Sequence, residues 1–151
     1  MIVPVSKENE KEWIELCIAL WSDATADDLI EGRIAYNLSD FLYYVDNEDV
    51  AFISLSVRNE YVEGADSAPT GYLEGIYVKP SHQKQGIAKK MVEFAKVWSA
   101  GQGCTTLASD VELHNEDSRL FHERIGFSEV SRAIHFAMRI EQNKTQGDAR
   151  C

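Results

Sequence analysis

The hexapeptide Gln83-Lys84-Gln85-Gly86-Ile87-Ala88 stands between an apolar, β-branched run and the strongest helical repeat in the chain. At that junction the first backbone N–H groups of a helix have no partner within the helix, and together with the helix dipole they attract anions. Gly86 removes a side chain where a backbone must approach a phosphate, Ala88 keeps the next approach point small, and Lys84 can add positive charge. The chemistry is that of a phosphate or pyrophosphate cradle. A glycine between strand and helix is also an ordinary structural turn. Neither standard nucleotide fingerprint is present: there is no Gly-x-x-x-x-Gly-Lys-Ser/Thr and no three-glycine dinucleotide loop.

Other residues with chemical potential flank this turn. Glu74 interrupts the apolar run Leu73 to Val78, where it is either a solvated carboxylate on a half-buried strand or a proton acceptor. Asp110 follows a run of small and β-branched residues, at a place suited both to a turn and to a ligand group at a strand end. His122 lies in a short helical segment as a packed residue or a proton donor. Trp21 and Tyr61 sit near polar segments, where an aromatic face can receive a ring bearing ammonium groups; Trp21 fits a core position equally well.

Local patterns predict the elements that position these groups. A short strand at 2–5 precedes a helix capped by Ser6, with Trp13, Leu16, Cys17 and Leu20 at helical spacing. A second helix is expected over 26–38. Strands follow at 41–46 and 50–57, joined by a turn at Asn47-Glu48-Asp49. The polar stretch 58–70 reads as a loop, and 71–78 as a strand. Ile87, Met91, Phe94, Ala95 and Trp98 mark a helix over 86–100, stopped by Gly101 and Gly103. A strand at 104–109, a helix at 116–124 and two strands at 127–131 and 133–140 complete the order. In the last strand Ile134, Phe136, Met138 and Ile140 alternate with polar or small residues. The sum is a mixed α/β (α+β) sheet rather than an alternating doubly wound one. One domain is expected over 1–140, with a polar, disordered tail at 141–151.

Bulk properties restrict the function classes. The chain has 151 residues, 44% of them hydrophobic, which suffices for one sizeable core. A net charge of −10 argues against nucleic acid as a partner and is compatible with a cationic substrate, or simply with solubility. No apolar run of membrane-spanning length exists, and Met1 to Lys7 lacks the pattern of a signal peptide, so a cytoplasmic protein with no membrane contact is expected. Three widely spaced cysteines, without a CxxC pair, point away from a metal site. Cys17 and Cys104 fit core thiols, and Cys151 is expected to be exposed.

The pattern Gln83-x-x-Gly86-x-Ala88 after a strand resembles the pyrophosphate-binding motif of the GNAT superfamily of acyl-CoA-dependent acetyltransferases. A second block, Asn115-x-x-Ser118-x-x-Phe121-His122-x-x-x-Gly126-Phe127, is similar to the superfamily's helix along the CoA thiol arm. The resemblance covers 2–140. Within the superfamily, Glu60 to Gly64, Tyr72 to Val78, Ala108-Ser109-Asp110 and Trp21 resemble the aminoglycoside 6′-N-acetyltransferases.

The resemblance implies a GNAT fold: a mixed, mostly antiparallel sheet flanked by helices, with a splay between the central parallel strands. It implies acetyl-CoA as co-substrate without a metal, an aminoglycoside as acceptor, and a homodimer. CoA would meet Ile76, Tyr77 and Val78 through backbone groups of the splayed strand. It would also meet Gln83, Lys84, Gln85, Gly86, Ile87 and Ala88 in the cradle, and Asn115, Ser118 and Phe121 along its arm. Glu74, Asp110 and His122 take the catalytic roles: base or electrostatic anchor, substrate-binding carboxylate, and acid toward the leaving thiolate. Trp21 and Tyr61, with Glu74 and Asp110, face the acceptor. The pattern departs at Ser131, where the family often has a second acidic residue, so the regiochemistry and aminoglycoside range stay open. Other readings are a GNAT enzyme for another cationic amine, such as a polyamine or peptide N-terminus, and a non-catalytic acyl-CoA sensor.

Overall fold

The computed structural model describes residues 1–142. Its elements run β1 (Ile2–Pro4), α1 (Glu10–Leu20), α2 (Ala26–Ala35), β2 (Ser39–Val45), β3 (Glu48–Arg58), β4 (Thr70–Val78), α3 (Ile87–Gly101), β5 (Leu107–Ser109) and α4 (Glu116–Arg124), with a short 3-10 turn at Pro80–His82. The five strands form one sheet in sequence order. β1 to β4 are antiparallel, and β5 joins β4 in parallel.

Each face of the sheet buries one helical stripe. Ile53, Leu55 and Leu73 pack with Ile87, Met91 and Ala95 of α3. Leu42 and Phe52 pack with Trp13, Leu16 and Cys17 of α1 on the other face. α3 lies so close to β4 that a Cβ on Gly71 would fall 2.1 Å from the Ser99 hydroxyl. α2 buries no residue fully and is tied down by Arg33, whose Nε donates to Asp40 Oδ2 at 2.9 Å.

Two irregularities of the sheet shape the site. Between Ser54 and Leu55 the register shifts, so that Ser54 faces Gly75 while Leu55 faces Leu73. Glu74 is thereby the extra residue of a bulge, a device that re-aims a side chain. The parallel pairing of β4 with β5 covers only Gly71 to Leu73, so β4 continues through Val78 with its β5-side edge open. That is the expected splay.

Several expected boundaries move. α2 stops at Ala35, short of 38, because Asn37 takes φ 51°, a left-handed helix stop, and Leu38 N–H returns to the Arg33 carbonyl. The hairpin turns at Asp46-Asn47, both with positive φ as a tight turn demands, rather than at Asn47-Glu48-Asp49. α1 starts after Asn9, not after Ser6, and the Asn9 side chain bonds Ser6 N–H and the Pro4 carbonyl instead of capping the helix; β5 spans three residues instead of six. Cys17 and Cys104 are buried, as expected. The two strands expected at 127–131 and 133–140 do not form: residues 125–142 carry no regular element beyond the turn at Ile125-Gly126. A strand needs a neighbour for its backbone groups, and no described part of the chain supplies one there. The expectations for the tail and for Cys151 lie largely outside the described residues.

Candidate active site

Glu74, delivered by the bulge, is gripped from β3. Ser56 Oγ donates to Glu74 Oε2 at 2.5 Å, and Arg58 Nη2 donates to Oε1 at 3.1 Å and to Oε2 at 3.0 Å. The Arg58 guanidinium also lies 3.4 Å from the centroid of the Tyr72 ring, a cation–π contact. Tyr72 in turn donates its hydroxyl to Asp110 Oδ2 at 2.5 Å. Burial first, then this hydrogen bond and the Asp110 charge, push the Tyr72 phenol far above its ordinary range, so it stays a donor. One polar network therefore connects the two expected carboxylates, Glu74 half-buried and Asp110 exposed.

The open edge of β4 begins beside this network. Lys79 N–H donates to Val50 O on β3 at 2.8 Å. By the alternation of a strand, Tyr77 also turns its peptide groups toward β3, while Ile76 and Val78 turn theirs to the open side. The Val78 carbonyl accepts from Gln83 Nε2 at 3.0 Å, in keeping with that alternation. Of the three backbone positions expected to meet CoA, Ile76 and Val78 face the splay and Tyr77 does not.

The cradle has the required form. Gly86 caps α3 at φ 80°, a conformation that favours glycine, and an added Cβ would meet nothing within 4 Å. No side chain caps this end. The other three α-helices carry acids in their first turns (Glu10 and Glu12, Asp27 and Asp28, Glu116 and Asp117), whereas α3 has none. The N–H groups over Gly86 to Lys89 thus meet no negative side chain of their own helix, and Lys84 stands exposed beside them. These residues fit a pyrophosphate. Gln85 bonds back to the Ser81 carbonyl at 3.4 Å and braces the turn.

On α4, Asn115 accepts from Ser118 N–H at 3.2 Å and so acts as the helix cap. His122 has both ring nitrogens engaged: Nδ1 lies 2.8 Å from the Ser118 carbonyl, and Nε2 lies 2.8 Å from Ser109 Oγ. A carbonyl only accepts, so Nδ1 carries a proton. Ser109 also reaches the Leu73 carbonyl at 3.2 Å and joins β5 to β4 where the splay opens. Phe121 is half-buried and meets the His122 ring edge-on.

Trp21 lies over β4 at Gly75, where a Cβ would come within 2.5 Å of the indole, and it meets Phe52 edge-on. The ring is 38% exposed, so it is both packed and available. Tyr61 is exposed in the 59–69 loop. Ser131 lies in the exposed segment after Val130, which packs against Gly64 of that same loop.

Sequence reasoning missed Ser56, Arg58, Tyr72, Gly75 and Ser109. A signal existed for two of them: Ser56 and Arg58 continue the even-numbered face of β3, so polar groups at successive same-face positions marked a polar end of the sheet. A cavity of about 330 Å³ lined by Val92, Ser99, Leu107 and Phe127 contains none of the expected site residues.

Known proteins resemble this chain in sequence and fold. The model of the acetyltransferase (GNAT) family matches residues 6–127. The chain is 38% identical to the type 1 aminoglycoside N(6′)-acetyltransferase of Acinetobacter haemolyticus, covering 93% of this chain and 99% of that one. It is 35% identical to the enzyme of the same name from Salmonella typhimurium, covering 89% and 96%. The crystal structure of an aminoglycoside antibiotic 6′-N-acetyltransferase from Acinetobacter haemolyticus superposes with a TM-score of 0.86 at 37% identity, over 93% of this chain and 99% of that one. AAC(6′)-Iy in complex with a bisubstrate analog, CoA-S-monomethyl-acetylneamine, superposes with a TM-score of 0.83 at 32% identity, over 93% and 98%. With its splayed sheet, its uncapped glycine-led helix and these relatives, the chain belongs to the GNAT family of acetyltransferases.

Proposed function

We propose that the protein transfers the acetyl group of acetyl-CoA to the 6′-amine of an aminoglycoside and so confers resistance. The observation that carries this reading is the joining of Glu74 and Asp110 through Arg58 and Tyr72 beside the open edge of β4. The names of the relatives support the choice of acceptor.

In this reading bound acetyl-CoA supplies an activated acyl group. The N–H groups of Gly86 to Ala88 and the Lys84 ammonium hold its pyrophosphate, with Gln83, Gln85 and Ile87 shaping the turn. The Ile76 and Val78 peptide groups line the pantetheine and acyl end, and a backbone donor at the acyl oxygen is worth roughly 2.7–4 kcal/mol. Asn115, Ser118 and Phe121 border the thiol arm. Tyr77 serves through its side chain and packing.

Glu74 and Asp110 bind the acceptor ammonium groups, and Glu74 takes up the amine proton directly or through water. Trp21 and Tyr61 offer faces to the sugar rings. Because Nδ1 of His122 keeps its proton on the Ser118 carbonyl, only the imidazolium form has one to give, from Nε2 to Ser109 Oγ, as the Ser109 hydroxyl turns from the Leu73 carbonyl and passes its own proton to the thiolate. No metal, nucleic acid or membrane enters this scheme. We propose the cytoplasm as its place and a homodimer as its assembly.

The test is thiol release from acetyl-CoA across an amine panel. Kanamycin and tobramycin are the expected acceptors, with the product acetylated at the 6′ nitrogen by NMR. Turnover of spermidine with none of any aminoglycoside would sink the reading.

A further inference from the structure

Ser109 Oγ lies 2.8 Å from His122 Nε2, and His122 Nδ1 lies 2.8 Å from the Ser118 carbonyl. The carbonyl holds a proton on Nδ1, so the neutral ring turns the lone pair of Nε2 toward the serine hydroxyl. A hydroxyl, an imidazole base and a third group that orients the base form the arrangement that makes an alcohol a nucleophile. Phe121 meets the imidazole edge-on and the Phe127 ring lies 5.2 Å from it, so the ring is also held by packing. A serine–histidine bond can serve simply to tie β5 to α4, and its position decides whether it does more.

Ser109 is the last residue of β5, and it pairs with Leu73, the last residue of β4 that has a β5 neighbour. Its hydroxyl has two acceptors within reach, His122 Nε2 and the Leu73 carbonyl at 3.2 Å. Beyond Leu73 the open edge of β4 begins, with the Ile76 and Val78 peptide groups that line the acyl end in the reading above. Nucleophile, base, orienting carbonyl and backbone donors for an oxyanion thus stand at one end of the splay. In acetyl transfer to an amine only the imidazolium has a proton to give. The neutral ring, with Nε2 free to accept, is a base.

We propose a further activity: without an acceptor amine, Ser109 takes its place, and the protein hydrolyses acetyl-CoA through an acetyl-serine. The proposal rests on the acetyl-CoA site of the reading above and not on its choice of acceptor. Ser109 Oγ attacks the thioester carbon while its proton passes to His122 Nε2. As the C–S bond breaks, the imidazolium gives that proton to the thiolate, which leaves acetylated Ser109 and the free thiol of CoA. The same step runs in reverse when that thiol attacks the ester. A water molecule next gives a proton to His122 Nε2 and attacks the ester carbon. The bond from Oγ to the acetyl carbon breaks, Oγ recovers the proton, and acetate is released. An amine in the acceptor place competes with Ser109 for the same thioester.

The test is isotope exchange with the full chain. The protein is incubated with acetyl-CoA and radiolabelled CoA and no amine. A covalent acetyl-enzyme carries the label into acetyl-CoA, whereas direct attack by water does not. Exchange is expected from the unaltered protein, and Ser109→Ala is expected to lower it at least about 10²-fold. That variant also loses the tie to the Leu73 carbonyl and can unfold, so Ser109→Cys is measured beside it. A thiol at the same place is expected to keep the exchange, with the acetyl group found on residue 109 by peptide mass after an acid quench. No exchange by the unaltered protein, undiminished exchange by Ser109→Ala, or a Ser109→Cys protein that binds CoA by calorimetry without exchanging it overturns the proposal. Acetylation of kanamycin by the same preparation is scored separately. Turnover without exchange removes the acetyl-serine and leaves the proposed function standing, and exchange without turnover does the reverse.

Discussion

Arg58 holds Glu74 by both carboxylate oxygens, at 3.1 and 3.0 Å from a single nitrogen, while its guanidinium lies on the Tyr72 ring. The carboxylate expected to meet the acceptor is therefore paired with a cation of its own protein before any substrate arrives. In the proposed reaction an arriving ammonium shares Glu74 with Arg58, and the planar fork fixes where the carboxylate stands. Arg58→Met is expected to lower kcat/KM for the aminoglycoside roughly 10²-fold, the scale of a small misplacement at a reacting group. Acetyl-CoA affinity by calorimetry should stay unchanged. An acceptor kcat/KM equal to that of the unaltered protein would show that Glu74 needs no such hold.

Gly75 makes room for Trp21. With a methyl group 2.5 Å from the indole carbons, Gly75→Ala must shift the ring off β4. The expected result is a several-fold rise in aminoglycoside KM with little change in acetyl-CoA KM, since the cradle lies at the other end of the open edge. Steady-state kinetics with each substrate varied in turn separates the two. Equal rises in both constants would point to general damage to the sheet.

Ser109 and His122 form one hydrogen-bonded unit, at 2.8 Å. If the proton path runs through both, Ser109→Ala and His122→Gln should each lower kcat by about 10²-fold or more, the lower end for general acid catalysis. The double variant should be little worse than either single one. Additive losses in the double-mutant cycle would assign the two residues separate tasks.

Asp40 gives a pH signature to stability. Burial lifts its carboxyl above the ordinary value of 3.8, and the opposing Arg33 guanidinium does not cancel that. The folded chain thus binds the Asp40 proton more tightly than the unfolded chain does. Its contribution to stability is complete below 3.8 and is lost as pH rises through the folded value. Urea unfolding from acid to neutral pH should show the stability of the unaltered protein falling relative to Asp40→Asn across that window. A constant difference between the two would refute the direction of the shift.

The residues themselves determined whatever depends on near neighbours. The α3 stripe from Ile87 to Trp98, the glycine-led turn before it and the helix from Glu116 to Arg124 were readable because a helix closes its hydrogen bonds within four residues. The apolar run of β4 was readable for a similar reason, as was the superfamily to which these blocks belong.

Tertiary structure decided what depends on register. Arg58 meets Glu74 across 16 residues and Tyr72 meets Asp110 across 38, and a single bulge sets which way Glu74 points. No local pattern encodes a bulge partner or the residue opposite it. The C-terminal arm makes the same point from the other side. Its alternation suggests a strand, but a strand exists only where a neighbour accepts its backbone, and the described chain offers it none.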